Sequence, residues 1–256
     1  MSADPAEDFS PEGYAALLQC AVESGYQFVT FSMAEMAAKS PGRHCLLRHD
    51  VDVSLAYALA MAEVEAERGI ASTYFVMLRS GAYNLLSRAG SGLLREIVAL
   101  GHEIGVHFDA GHSLVSDDRL VDLVREEARI VGDVASSEIH AVSFHQPSQQ
   151  ILDGQIVVPG LINSYNRAQL ERWHYVSDSN RRWRAESAAR LLREATHDKI
   201  QLLVHPIWWM ARAGSSEKDW RQALIGNFRA TLQFFHDTED GFGPMRSLDW
   251  SGDGGG

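Results

Sequence analysis

Aspartate and histidine gather at the ends of apolar runs in this chain. Asp50 and Asp52 end the run LLRHDVD (Leu46–Asp52), His107 ends GHEIGVH (Gly101–His107), and His205 follows Gln201–Val204 and precedes Pro206. An apolar run that stops at a titratable side chain reads as a strand delivering that side chain to the mouth of a sheet or barrel. Buried carboxylates and imidazoles are costly unless paired or bound to a metal. Their recurrence at strand ends therefore points to one shared site, and to a metal.

Asp50 and Asp52 are two apart and share one face of an extended backbone. Two carboxylates this close split their roles, so one can bind a cation while the other stays available as a base. The plainer reading of the pair is a helix-capping turn in which Asp52 or Ser54 satisfies backbone N–H groups. His107, Asp109 and His112 follow one another along a strand and its loop. An aspartate with two histidines suits Zn²⁺ or a similar divalent ion and leaves positions for water and substrate. Each of these histidines alone is more simply a hydrogen-bonded loop residue; the aspartate pair shifts the balance to a metal. His205 suits proton transfer near neutral pH as a general acid. Asp178, in YVSDS, is placed to hold that imidazole, unless it only forms an Asx-turn. Trp183, Trp208 and Trp209 can stack on sugar rings or simply pack in the core.

The elements that must position these residues alternate in type. A helical pattern near Tyr14–Glu23 precedes the strand Cys45–Arg48. Ser54 then caps a helix with Leu55, Leu59, Ala62 and Ala66 on one face, and Gly69 stops it. Strands follow at Ser72–Leu78, His102–Val106, Ala141–Phe144 (ending in His145), His174–Asp178 and Gln201–Val204. Helices fall at Leu93–Leu100, after Ser116, at Glu186–Thr196, and where Trp220, Leu224, Phe228, Leu232 and Phe235 recur. Residues 149–169 have the weakest regular pattern and suit a long loop over the mouth. This alternation indicates an α/β fold with parallel strands: a (β/α) barrel with its site at the C-terminal strand ends, or else a doubly wound open sheet. The expected organisation is a single domain over 1–256, with its motifs in 44–210 and a flexible tail at 251–256.

The 256 residues are 45% hydrophobic with a net charge of −11, enough for a large core and unsuited to nucleic acid. No Gly-rich phosphate loop or dinucleotide fingerprint occurs. No apolar run reaches the ~18 residues of a membrane span, and the acidic N-terminus lacks a signal pattern, so the expected location is cytoplasmic. Cys20 and Cys45 make no disulfide framework, and Cys45 reads as a buried thiol.

In order and spacing, these motifs resemble the polysaccharide deacetylase (NodB-homology) family from about Leu46 to Trp209. The resemblance implies a deformed (β/α) barrel that hydrolyses acetyl groups on carbohydrates, usually with Zn²⁺. RHDVD resembles the family's aspartate pair, which implies Asp50 as general base and Asp52 as metal ligand. GHEIGVH resembles its histidine strand, with His107 the first histidine ligand. The second is expected four residues on, where Gly111 stands. His112 is one residue late, and Asp109 or His145 are the alternatives. SFHQPS (Ser143–Ser148) keeps the proline of the third motif but puts His145 near the place of its arginine, leaving Arg48 to brace Asp50. Asp178 with Trp183 resembles the fourth motif, and LLVH ending in His205 the fifth. The RHDVD, HFD, SFHQPS, YVSDS and HPIWW strings are similar to a divergent branch associated with surface-polysaccharide biosynthesis.

The function implied is metal-dependent removal of an N-acetyl or similar acyl group from an amino sugar, with Asp50, His205 and Asp178 catalytic. Asp52, His107 and His112 hold the metal, and Arg48, His145, Trp183, Trp208 and Trp209 lie along the substrate. Rival readings are a deformylase or other C–N amidohydrolase with a non-sugar substrate, a non-catalytic carbohydrate-binding barrel, and a metal phosphoesterase.

Overall fold

The computed structural model describes Ala6 and residues 8–109, 117–183 and 186–239. His112, the cap at Ser116 and the 251–256 tail lie outside the described residues. Among the described residues eight strands form one parallel sheet: β1 (Tyr26–Val29), β2 (Arg43–Val51), β3 (Thr73–Val76), β4 (Glu103–Asp109), β5 (Ala141–His145), β6 (Ile162–Asn163), β7 (His174–Ser177) and β8 (Lys199–Val204). Their order is β6-β5-β4-β3-β2-β8-β7, and β1 pairs with the first half of β2. The six strands expected from the sequence are present, with β2 longer at both ends. β1 and the two-residue β6 carry too little pattern to stand out.

The sheet is curled rather than open. Gln201 of β8 donates through Nε2 to the carbonyl of Ser164, just past β6, at 3.4 Å. Arg48 of β2 donates to the hydroxyl of Tyr165 at 3.2 Å. Side chains from the middle of the sheet thus meet the segment beyond its last strand, which requires a barrel wall. Among the described residues β6 and β7 do not pair, so the wall stays open there.

Alternation along β2 sorts the two environments. Cys45, Leu47 and Val51 join the large outer core under the helices, while Leu46 joins a smaller cluster with Val29, Phe31, Phe75 and Trp173 inside the barrel. Gly105 of β4 stands opposite Phe75 of β3. A Cβ there would lie 2.6 Å from the Phe75 ring, so the glycine in GHEIG leaves room for the interior aromatic.

The helices α1 (Pro11–Glu23), α3 (Leu55–Ala66), α4 (Arg88–Ala99) and α5 (Asp117–Ala135) cover the outer face, α2 (Ala34–Lys39) being shorter. Ser54 caps α3 through its hydroxyl, which accepts from the Tyr57 N–H at 3.3 Å. Gly69, at φ +66°, follows the end of that helix. Residues 149–169 are less irregular than their pattern suggests and hold α6 (Gln149–Leu152), β6 and the start of α7 (Arg167–Leu170). Then come α8 (Ala188–Glu194), α9 (Pro206–Met210) and α10 (Ser216–Thr238). No helix of the described residues is long and apolar enough to cross a membrane.

Candidate active site

The C-terminal ends of β2, β4, β5, β7 and β8 converge at one mouth. Asp52 lies one residue beyond β2, in a turn pinned from both sides. The Tyr83 hydroxyl donates to the Val51 carbonyl at 2.7 Å, and Asn227 of α10 donates to the Val53 carbonyl at 2.7 Å. Oδ1 of Asp52 is 3.0 Å from His107 Nε2 and 3.3 Å from His145 Nδ1. One donor atom from each of the three residues lies within 4.8 Å of the other two, and among the described residues no other such group occurs.

The trio suits a divalent cation. Asp52 Oδ1 is buried, and its two close imidazoles, at 3.0 and 3.3 Å, are poorly aligned with it, an arrangement that leaves the oxygen under-satisfied unless something else binds it. His107 turns its Nε2 to the group because Nδ1 is engaged by the Ser143 hydroxyl at 3.0 Å, the outer support that metal-binding histidines commonly have. Two imidazoles and one carboxylate are ordinary Zn²⁺ donors. Burial works to raise the Asp52 pKa, but contacts with the His107 and His145 imidazoles and the charges of His107 and His205 outweigh it and hold the carboxyl far below its usual range.

Of the two alternatives that lie among the described residues, Asp109 and His145, the structure brings His145 into the group. It ends β5 at the level of Asp109 of β4. Asp109 is not part of the cluster and acts electrostatically on Glu127 and His145. The close approach of the Asp52 carboxylate raises the His145 pKa and outweighs the lowering effect of burial.

Asp50 points into the barrel below Asp52, buried in the fork of Arg48. Arg48 Nε reaches Asp50 Oδ1 at 2.9 Å and Nη2 reaches Oδ2 at 2.7 Å. The guanidinium lies between the Phe75 and Tyr165 rings, 5.3 and 5.0 Å from their centroids. Ser143 also donates to Asp50 Oδ2, at 3.3 Å, and His107 Nε2 is 3.9 Å from that oxygen. Burial works to raise the Asp50 pKa, but Arg48 leads the groups that bring it below the ordinary value. Removing one partner of a buried pair strands the other charge. Arg48→Met should therefore cost ~3–5 kcal/mol of stability in chemical denaturation, and Arg48→Met/Asp50→Asn should recover part of the loss.

His205 sits on the opposite side. It directly follows β8 at the N-cap position of α9, and Pro206 keeps it extended (φ −99°, ψ 120°). Its Nε2 is 4.0 Å from Asp52 Oδ2, and its Nδ1 is 2.5 Å from Asp178 Oδ1. Asp178, fully buried just past β7, also accepts from the His205 N–H at 3.0 Å through Oδ2 and from the Trp209 indole N–H at 2.8 Å. Burial alone lowers the imidazole pKa; Asp178 reverses this and raises it to about 9.

The tryptophans sort differently. Trp209 is 0% exposed and spends its N–H on Asp178, so it offers no face to a ligand. Trp208 is buried edge-on to Trp220, and half-buried Trp183 stacks on Phe9. The reading of Trp208 and Trp209 as sugar-stacking residues is corrected here: α9 turns both into the core. Sequence reasoning gave no role to Ser143, which ties Arg48, Asp50 and His107 together. Its signal was its place two residues before His145 on one strand, which puts both on one face.

No family model matches the chain, and no curated protein does. Three solved structures similar to it are the Streptococcus pyogenes deacetylase PplD in complex with acetate, a family 4 carbohydrate esterase from Bacillus anthracis, and a CE4 family pseudoenzyme from Bacillus anthracis. The first is 15% identical, with a TM-score of 0.45 over 83% of this chain and 86% of that one. The second is 17% identical, with a TM-score of 0.44 over 85% and 86%. The third is 14% identical, with a TM-score of 0.41 over 74% and 62%, so the matched part spans less than two thirds of that protein's length. What this chain does is decided by its own side chains.

Proposed function

We propose that the protein is a metal-dependent deacetylase acting on an N-acetylated amino sugar, used inside the cell in building a surface polysaccharide. One observation carries the reading. A cation-competent trio, Asp52, His107 and His145, lies between an arginine-braced carboxylate and an aspartate-held imidazole at a single mouth.

Asp52, His107 and His145 would hold a divalent cation, Zn²⁺ first among the candidates, and when bound it would supply Lewis acidity for an acetyl carbonyl and a water. The chain's own groups move the protons. Asp50, kept ionised by Arg48, accepts a proton from the attacking water. His205 presents Nε2 toward the trio and gives a proton to the leaving amine, while Asp178 fixes the ring through Nδ1. The C–N bond breaks, and acetate and a free amino sugar leave. Ser143 holds His107 and Asp50 in register. Half-buried His145 lies at the open side of the cluster, where it can both bind the cation and border the substrate.

The test is a panel of N-acetylhexosamines, free, oligomeric and nucleotide-linked, given to Zn²⁺-loaded protein. Acetate and free amine should appear in equal amounts with at least one of them. Release of formate from N-formyl substrates and no acetate would replace this reading with another C–N hydrolase. Stoichiometric metal uptake with no acyl release from any member would reject it.

A further inference from the structure

The outer face of β2 carries a second polar cluster that this chemistry does not use. His49 stands between Arg48 and Asp50, so its side chain points the other way, into the helix layer, where it is fully buried. Its Nε2 is 2.7 Å from Glu65 of α3. Its Nδ1 is 3.2 Å from the Val204 carbonyl; a carbonyl only accepts, so Nδ1 carries the proton of that bond. Glu65 is equally buried. It accepts from the Tyr14 hydroxyl and, at 2.6 Å, from the Ser72 hydroxyl, and it lies 3.3 Å from His102 Nδ1.

Val204 and His205 share one peptide bond, and that unit is gripped at both ends. Its carbonyl accepts from His49 on the outer face of the sheet, and its N–H donates to Asp178 on the other side. Asp178 also holds the His205 ring. A continuous chain thus runs from Glu65 through His49 and the 204–205 peptide to Asp178 and the His205 imidazole. Burying a carboxylate and an imidazole under helices is poor economy for stability alone, since apolar side chains of similar volume do as well or better there.

We infer that His49, backed by Glu65, is a positioning residue for His205: it fixes the Val204–His205 peptide plane from behind the sheet and so sets where the imidazole meets the site. The inference rests on the reading of His205 as proton donor.

Two isosteres separate this role from simple charge pairing. Asn places an N–H where Nδ1 stands and keeps the bond to Val204; Gln reaches toward Glu65 but loses Val204. His49→Gln should lower kcat about tenfold, as displaced catalytic groups do, with KM and Zn²⁺ affinity unchanged. His49→Asn should stay within about threefold of the parent. The reverse order, or equal activity of both, overturns the proposal. The proton between His205 Nδ1 and Asp178 should give a far-downfield NMR signal, and this readout needs no turnover. It should shift or broaden in His49→Gln and persist in His49→Asn; an unmoved signal in His49→Gln also overturns it. A parent with no deacetylase activity but with this pattern removes the proposed function and keeps the positioning role. If His49→Gln does not fold, Glu65→Gln takes its place with the same readouts: a smaller kcat loss and a shifted signal are expected, and parent-like values for both refute the idea.

Discussion

Asp52→Ala should abolish stoichiometric uptake of a divalent cation and take the deacetylase activity with it. Asp52 is the only anionic member of the trio, and its Oδ1 is the atom both imidazoles approach. Two neutral histidines without it make a weak site, because a dication is held largely by opposite charge. Loss of an outer-sphere partner already costs 10–100-fold in affinity; loss of the carboxylate should cost more than ~10²-fold, measured by titrating chelator-treated protein with Zn²⁺. The fold should tolerate the change, since the neighbouring turn is held through the backbone carbonyls of Val51 and Val53 rather than through this side chain. The metal-free protein adds an independent sign. A carboxyl held below its ordinary value stabilises the fold above its unfolded pKa, and this is lost as pH falls toward the folded one. Asp52→Ala should therefore flatten the acid limb of metal-free stability. Parent-like Zn²⁺ uptake by the variant would mean that the cation, if any, binds elsewhere.

The sequence was most informative where a side chain's role follows from its strand position. Asp50 and Asp52 share a face because extended chains repeat every two residues, and His107 and His205 stand at the mouth because their apolar runs end there. Strands β3, β4, β5 and β8 carry β-branched or aromatic residues in short apolar runs, and β2 shows the apolar run Cys45–Leu47, so the alternation of elements was legible. What escaped depends on tertiary approach. Two strands escaped: β6 has only two residues, and β1 is the short run YQFV, interrupted by an exposed glutamine. That His145 joins Asp52 depends on how β5 sits in the curled wall beside β4, which no spacing in the chain records. Arg48 bracing Asp50 was readable as a local pair, but its packing between Phe75 and Tyr165 was not. The tryptophans after His205 were ambiguous for a physical reason. An aromatic beside a polar strand end serves a ligand or a core equally well until the direction of the helix that carries it is known.

The second large effect concerns proton delivery. His205→Ala should lower kcat by ~10²–10⁴, the usual contribution of a positioned acid or base, with Zn²⁺ affinity little changed because the ring is not among the three donors. Asp178→Asn is the sharper variant. The carboxylate can only accept, so it fixes the proton on Nδ1 and leaves Nε2 facing the trio. An amide can donate to Nδ1 instead and invert that arrangement. It also removes the charge that overturns burial. Burial lowers the imidazole pKa and Asp178 is the main group raising it to about 9, so without that charge the pKa must fall. A general acid works only while protonated, and the alkaline limb of kcat/KM should move to lower pH in Asp178→Asn, together with a large fall in rate. Stability obeys the same sign. A histidine raised above its unfolded value stabilises the fold below that value, and the contribution is lost as pH rises through about 9; in Asp178→Asn that loss should begin at lower pH. If the alkaline limb of the variant coincides with that of the parent, the proton reaching the leaving amine comes from another group, and half-buried His145, the other imidazole at the opening, becomes the residue to test.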